Sequence, residues 1–216
     1  MELTGSDFGL CFVGDRWGQG LTRISCGKRS FASSSRPPGS ASYMLAAGKR
    51  GEFLPGPEMS FWIDTASPLQ LAIASRPQGG EWLRDDIRKL RDEGIDILVS
   101  LLSWGECREL DLDEEKAACS SVGINFVNFP LPDRSVPPSR LGFLTFAQFL
   151  HKRASEGLKV GVHCRACIGR SSVLLATVMR LQGFTAREAF SRISEARGLR
   201  VPDTAEQARW VARLAI

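Results

Sequence analysis

The sequence predicts an α/β fold: a mostly parallel central sheet flanked by helices, with a helical C-terminal end. Three observations predict it. Segments such as 95–102 (IDILVSLL) and 159–163 (KVGVH) are short, β-branched and nearly unbroken in apolar character, the pattern of strands covered on both faces. Stretches of helical length, apolar on one side, separate them. After 159–163 the remaining segments all read as helix.

In order along the chain, 60–63 (SFWI) and 69–75 (LQLAIAS) read as short strands. Residues 81–94 read as a helix with Leu83, Ile87 and Leu90 on one face and Gly94 as its stop. After the strand at 95–102, segment 113–123 opens with acids and closes on Gly123, which suits the two ends of a helix dipole. Residues 124–131 (INFVNFPL) form the next strand. Segment 132–139 (PDRSVPPS) carries three prolines in eight residues and must be a loop. An amphipathic helix over 139–157, the strand 159–163 and a helix over 171–183 follow. Two capping boxes, Thr185 with Glu188 and Thr204 with Gln207, open the last two helices.

Composition narrows the class of function. A formal net charge of +4 spread over 216 residues suggests no nucleic-acid partner, but it tolerates an anionic substrate. No apolar run is long enough to span a bilayer and no secretory leader opens the chain, so no membrane partner is expected. The six cysteines (Cys11, Cys26, Cys107, Cys119, Cys164 and Cys167) are irregularly spaced in a chain large enough to need no staples. Free thiols in a reducing compartment are expected, with a cytoplasmic location. Cys164 and Cys167 form a CxxC, yet no second pair completes a zinc site, and His151 and His163 lack ligand spacing. Neither a metal nor another cofactor is expected, and the sequence carries no signal of oligomeric state.

Residues 1–58 differ from the rest. They hold ten of the 21 glycines, and 30–42 (SFASSSRPPGSAS) has little to bury. The expectation is a disordered tail or a non-native extension, with translation starting at Met44 or Met59 and the folded domain spanning 59–216. The absence of acids between Asp15 and Glu52 also resembles a transit peptide, but Glu2, Asp7 and Asp15 spoil that pattern.

The informative stretch is 162–172, VHCRACIGRSS. A strand feeding a loop that feeds a helix places unpaired loop amides and the positive end of a helix dipole together, which makes an anion site. Removing a phosphoryl group, rather than holding it, needs a nucleophile, and Cys164 supplies one. A free thiol with a pKa of about 8.5 is mostly protonated at neutral pH. The helix end, the loop amides and Arg170 all favour the thiolate. Arg170 also offers a planar fork for two phosphoryl oxygens, which lysine could not. Gly169 allows close backbone approach, and Ser171 can donate its hydroxyl to the sulfur.

His163-Cys164, five residues, Arg170 and Ser171 resemble the signature loop of cysteine-dependent protein tyrosine phosphatases, in their dual-specificity-like branch. The resemblance covers about residues 60–216 and is specific over 163–171. It implies a phosphocysteine intermediate, no metal, and an aspartic acid on a separate loop as general acid. It implies that the loop residues Arg165, Ala166, Cys167, Ile168 and Gly169, with Arg170, bind the phosphate, and that His163 supports the loop. The substrate implied is a phosphoprotein, carrying phosphotyrosine and possibly phosphoserine or phosphothreonine. The variable loop positions hold no lysine, unlike phosphoinositide-directed relatives. Two other readings stand beside it: a phosphate-binding pseudophosphatase, and a rhodanese-type sulfurtransferase that would need no acid.

The acid can be sought from chemistry as well. Departure of an alkoxide needs a proton, and Asp133 lies in the proline-rich loop after a strand of the same sheet. Asp203 is its rival, but beside Thr204 it is expected to serve a helix start. Gln207 matches, by distance from the loop, a family glutamine that positions water, though capping is the simpler role. Cys167 departs from the glycine common at its position. Its side chain is expected to point away from Cys164, as an apolar filler behind the loop; a resolving cysteine that captures oxidised Cys164 as a disulfide is the other reading.

Overall fold

The computed structural model describes residues 58–65 and 67–216; the expectations for 1–58 otherwise lie outside the described residues. Five strands form one sheet: β1 (Ser60–Trp62), β2 (Gln70–Ala74), β3 (Ile97–Ser100), β4 (Asn125–Asn128) and β5 (Lys159–His163). Their order is β1-β2-β5-β3-β4, with β1 antiparallel to β2 and all other pairs parallel. The α/β class read from the sequence is the fold observed.

Helices α1 (Leu83–Asp92), α2 (Trp104–Glu109), α3 (Glu115–Ser121), α4 (Arg140–Ser155), α5 (Arg170–Leu181), α6 (Ala186–Arg197) and α7 (Ala205–Ala212) complete the fold. Successive strand residues point to opposite faces, so β2 sends Leu71 and Ile73 into one core cluster and Ala72 and Ala74 into the other. The larger cluster packs α4, α5, α6 and α7 on one face through Phe143, Leu150, Leu174, Ile193 and Val211. The smaller packs α1 and α3 on the opposite face through Ile87, Leu90 and Cys119. Burial on both faces explains why the central strands read as unbroken apolar runs.

Helix α5 is buried from Arg170 through Met179, so it is the central helix of its layer. The aromatic residues tie its neighbours together: Phe129 stacks on Phe146 at 4.3 Å, and Phe143 meets Trp210 edge-on at 5.2 Å. Both capping boxes expected for α6 and α7 are formed.

Helix α2 was not among the expected elements. It is a single short helix opened by a third capping box, Ser103 with Glu106, and none of its residues is buried. Its six residues are too few to show an apolar stripe, which is why periodicity passes over it.

Candidate active site

The loops after β3, β4 and β5 leave the sheet at the carboxyl ends of parallel strands, where clefts form in open α/β sheets. Segment 164–169 leaves β5 and runs into α5 at its N-cap, Gly169. A Cβ on Gly169 would lie 3.0 Å from the Gln207 side-chain amide and 3.1 Å from Asp203, so a side chain there would force both to give way.

Among the described residues, Arg170 is the largest fully buried side chain. Burying a guanidinium is costly unless its donors are met. Its Nη1 donates to Leu101 O (3.3 Å), Leu131 O (3.1 Å) and Glu106 Oε2 (2.8 Å), and Nη2 donates to Glu106 Oε1 (2.8 Å). Nη2 also lies 3.0 Å from Asp133 Oδ1, whereas Nε has no partner among the described residues. The chain ends of β3 and β4 and two carboxylates therefore hold the fork in place, with one donor left over.

Burial alone would raise the Glu106 carboxyl, but the hydrogen bonds from Arg170 and Ser103 pull it down to about 2. Since that lies below its ordinary 4.5, the contribution to stability is complete above about pH 4.5 and is lost as pH falls toward 2. Glu106→Gln is expected to lower unfolding free energy by roughly 2–3 kcal/mol near neutral pH. In denaturant titrations this gap should close on acidification. An equal gap at acidic and neutral pH would show that the ion pair is not its source.

Cys164 is buried, and its Sγ accepts from the backbone N–H of Cys167 at 3.2 Å. Its thiol sits well below the ordinary range: the hydrogen bond from the Cys167 side chain is the largest cause, opposed by burial and helped by Ser171 and the charge of Arg170. The buried Ser171 hydroxyl has no aligned hydrogen-bond partner among the described residues. The sulfur thus meets the loop amide of Cys167, with Ser171 and the charge of Arg170 at the α5 N-terminus also favouring its anion.

His163 is fully buried at the end of β5, and its Nε2 lies 2.8 Å from Glu115 Oε1. Neither side chain forms an aligned hydrogen bond with any described residue. Arg165 and Ala166 stand exposed at the rim, and Arg165 pairs bidentately with Glu109. Ile168 is half-buried. Gln207 caps α7 and also donates through Nε2 to Ser135 O at 3.1 Å, so it ties α7 to the proline-rich loop.

One expectation is corrected. Cys167 points inward, not outward: its backbone has a φ of 55°, and its S–H donates to Cys164 O at 3.4 Å. Thr204 caps α7 as expected, and Asp203 beside it pairs with Arg134 at 3.2 Å. Sequence reasoning missed Glu106 and Glu115. A Ser-x-x-Glu pattern marks Glu106 as a capping residue, but nothing local marks its bond to a residue 64 positions away.

Fold and site together define a member of the cysteine-dependent, dual-specificity-like phosphatase superfamily. Residues 72–183 match the family Tc-R-P, polymorphic toxin system, DSP-PTPase phosphatase, and the chain belongs to that family. No curated protein matches the chain in sequence. Among solved structures, kinase associated phosphatase with its catalytic-site cysteine replaced by serine superposes with a TM-score of 0.65 at 16% identity, over 72% of this chain and 93% of that one. A putative protein tyrosine phosphatase from Leishmania major gives 0.59 at 21% identity, over 73% and 99%. The human tyrosine phosphatase-like serine/threonine/tyrosine-interacting protein gives 0.51 at 19%, over 65% and 87%. At these identities the likeness is one of fold. Among the described residues, no helix is long and apolar enough to cross a membrane.

Proposed function

We propose that this protein is a phosphoprotein phosphatase hydrolysing phosphotyrosine, and phosphoserine or phosphothreonine where they can reach the loop, through a phosphocysteine intermediate. The observation that carries it is the meeting of Cys164, Arg170 and Asp133: a thiol held well below its ordinary range, a buried fork with a free donor, and a carboxylate 3.0 Å from that fork.

In this reading the loop amides of 165–169 and Arg170 hold the phosphoryl oxygens at the α5 N-terminus. Cys164 Sγ attacks phosphorus, the bond to the leaving oxygen breaks, and Asp133 protonates that oxygen. The resulting carboxylate then takes a proton from the water that attacks the thiophosphate, while Ser171 donates to the departing sulfur. His163 supports the loop from beneath. An incoming phosphoryl dianion competes with the Asp133 carboxylate for Arg170, which moves that carboxyl toward the leaving group.

An exposed groove of about 620 Å³ adjoins the loop at Ile168, lined also by Arg187, Phe190 and Arg200. It offers room for residues flanking a phosphorylated side chain and favours a protein substrate. The free thiols of Cys107, Cys119, Cys164 and Cys167 suit a reducing compartment such as the cytoplasm. The domain is proposed to span 59–216.

Turnover of para-nitrophenyl phosphate, measured beside thiosulfate, tests this reading. Phosphate release with no sulfur transfer is the expected result. Tight phosphate binding without release would make the chain a pseudophosphatase, and sulfur transfer would make it a sulfurtransferase. Since Cys164 must be ionised, kcat/KM should fall as pH drops through its lowered pKa, well on the acid side of the ordinary thiol range.

A further inference from the structure

We infer that the groove beside Ile168 is a second anion subsite, so that the preferred phosphoprotein carries a carboxylate or a second phosphate within about three residues of the phosphorylated side chain. The inference rests on the phosphatase reading above and adds the flanking chemistry of the substrate to it.

The groove lies between α6 and α7 and meets the 164–169 loop at Ile168. Ile168, Phe190, Val201 and Ala208 give it an apolar lining, and Arg187 and Arg200 line it as well. Both arginines are exposed, and neither side chain has a hydrogen bond or an ion pair among the described residues. Other arginines of the site are already spent, Arg165 on Glu109 and Arg134 on Asp203. The carboxylates that could have quenched the pair are engaged too. Asp203 lines the groove but is held by Arg134 at 3.2 Å. Glu188, next to Arg187 in the chain, accepts from the Thr185 amide and hydroxyl. The groove therefore keeps two positive charges that the chain itself does not neutralise.

A guanidinium offers parallel donors that match a carboxylate or a phosphate equally well. Arg170, two residues after Ile168, is the fork for the first phosphate in the phosphatase reading. Arg187 and Arg200 remain for a neighbour's charge. An extended chain advances roughly 3.3–3.6 Å per residue, so a peptide that seats its phosphorylated residue at Cys164 can lay its near neighbours along this groove.

The test measures binding and needs no turnover. Fluorescent peptides carry a phosphonate mimic of phosphotyrosine, which has no ester to hydrolyse. Their flanking residues are glutamine, glutamate or a phosphonate analogue of phosphothreonine. Each is titrated against the full chain by anisotropy. An anionic flank should tighten binding by about threefold to twentyfold over glutamine, the worth of two exposed ion pairs. Arg187→Ala combined with Arg200→Ala should erase that advantage and change binding of the glutamine peptide by less than about twofold. The side chain of Arg209 is also unpaired, but it lines a separate groove with Glu206 and Trp210. Arg209→Ala removes an equal charge there and should leave the advantage intact. A gain shared by glutamate and the analogue would assign an acidic segment; a gain confined to the analogue would assign a doubly phosphorylated one. Equal binding of all the peptides would overturn the inference. So would an advantage that survives the double variant, or one that falls as far with Arg209→Ala. Failure of every peptide to bind is a separate result: it would overturn the phosphatase reading, and this inference with it.

Discussion

Replacing Cys164 by serine is expected to reduce phosphate-ester hydrolysis by at least about 10⁴-fold while leaving phosphate binding close to wild type. The two halves of the expectation come from different parts of the site. Hydrolysis needs a nucleophile that is already an anion, and the environment of Cys164 is built to hold one: the Cys167 thiol, Ser171 and Arg170 outweigh the cost of burial. A serine hydroxyl in that place would stay protonated, because the same surroundings fall far short of what an alcohol needs. Binding depends on other groups. Arg170 is anchored by Leu101 O, Leu131 O and Glu106, none of which involves the sulfur, and α5 keeps its free N-terminal amides. Vanadate or inorganic phosphate titrated by calorimetry gives the binding half; phosphotyrosine release gives the other. Substantial metal-free turnover by Cys164→Ser would remove Cys164 as nucleophile. Loss of phosphate binding would mean instead that the sulfur shapes the loop.

Much of this fold is legible in the sequence because its signals are local. The strands at Ile97–Ser100 and Lys159–His163 are buried on both faces and read as such. Helices α6 and α7 announce themselves by Thr185 with Glu188 and Thr204 with Gln207. The candidate anion site is legible too, since strand, loop and helix are contiguous in 159–181. The parts that escaped depend on tertiary contact. Glu106 reads as a cap and turns out to anchor Arg170 as well. Glu115 reads as a first-turn acid and is instead buried against His163. Cys167 illustrates a third case. Its identity is visible, but its direction depends on a positive φ that no residue type other than glycine signals, and cysteine gives no such sign.

Asp133→Asn is expected to lower kcat by roughly 10²–10⁴-fold, the range a general acid supplies. The carboxyl sits in the loop after β4, 57% exposed in its side chain, and its Oδ1 contacts Arg170 Nη2 at 3.0 Å. That contact places it at the mouth of the anion site, one residue after Pro132 and two residues before Ser135, whose carbonyl Gln207 holds at 3.1 Å. Its neighbour Arg134 is tied to Asp203, and on the other side the Leu131 carbonyl accepts from Arg170, so the loop is fastened on both sides of the acid without burying it. A carboxyl so placed can follow the leaving oxygen outward as a phosphoryl group displaces it from Arg170. Asparagine keeps the size and loses the transferable proton, so the loop should keep its position. The loss should therefore depend on how much the leaving group needs that proton. Phenol leaves poorly, and phosphotyrosine should lose the full factor; an activated aryl phosphate such as para-nitrophenyl phosphate leaves more readily and should lose less. Single-turnover release measured for both substrates gives the comparison directly. A small and equal loss for both would assign proton donation to another group, and Asp203, already at the side of the same loop through Arg134, would be the next residue to replace.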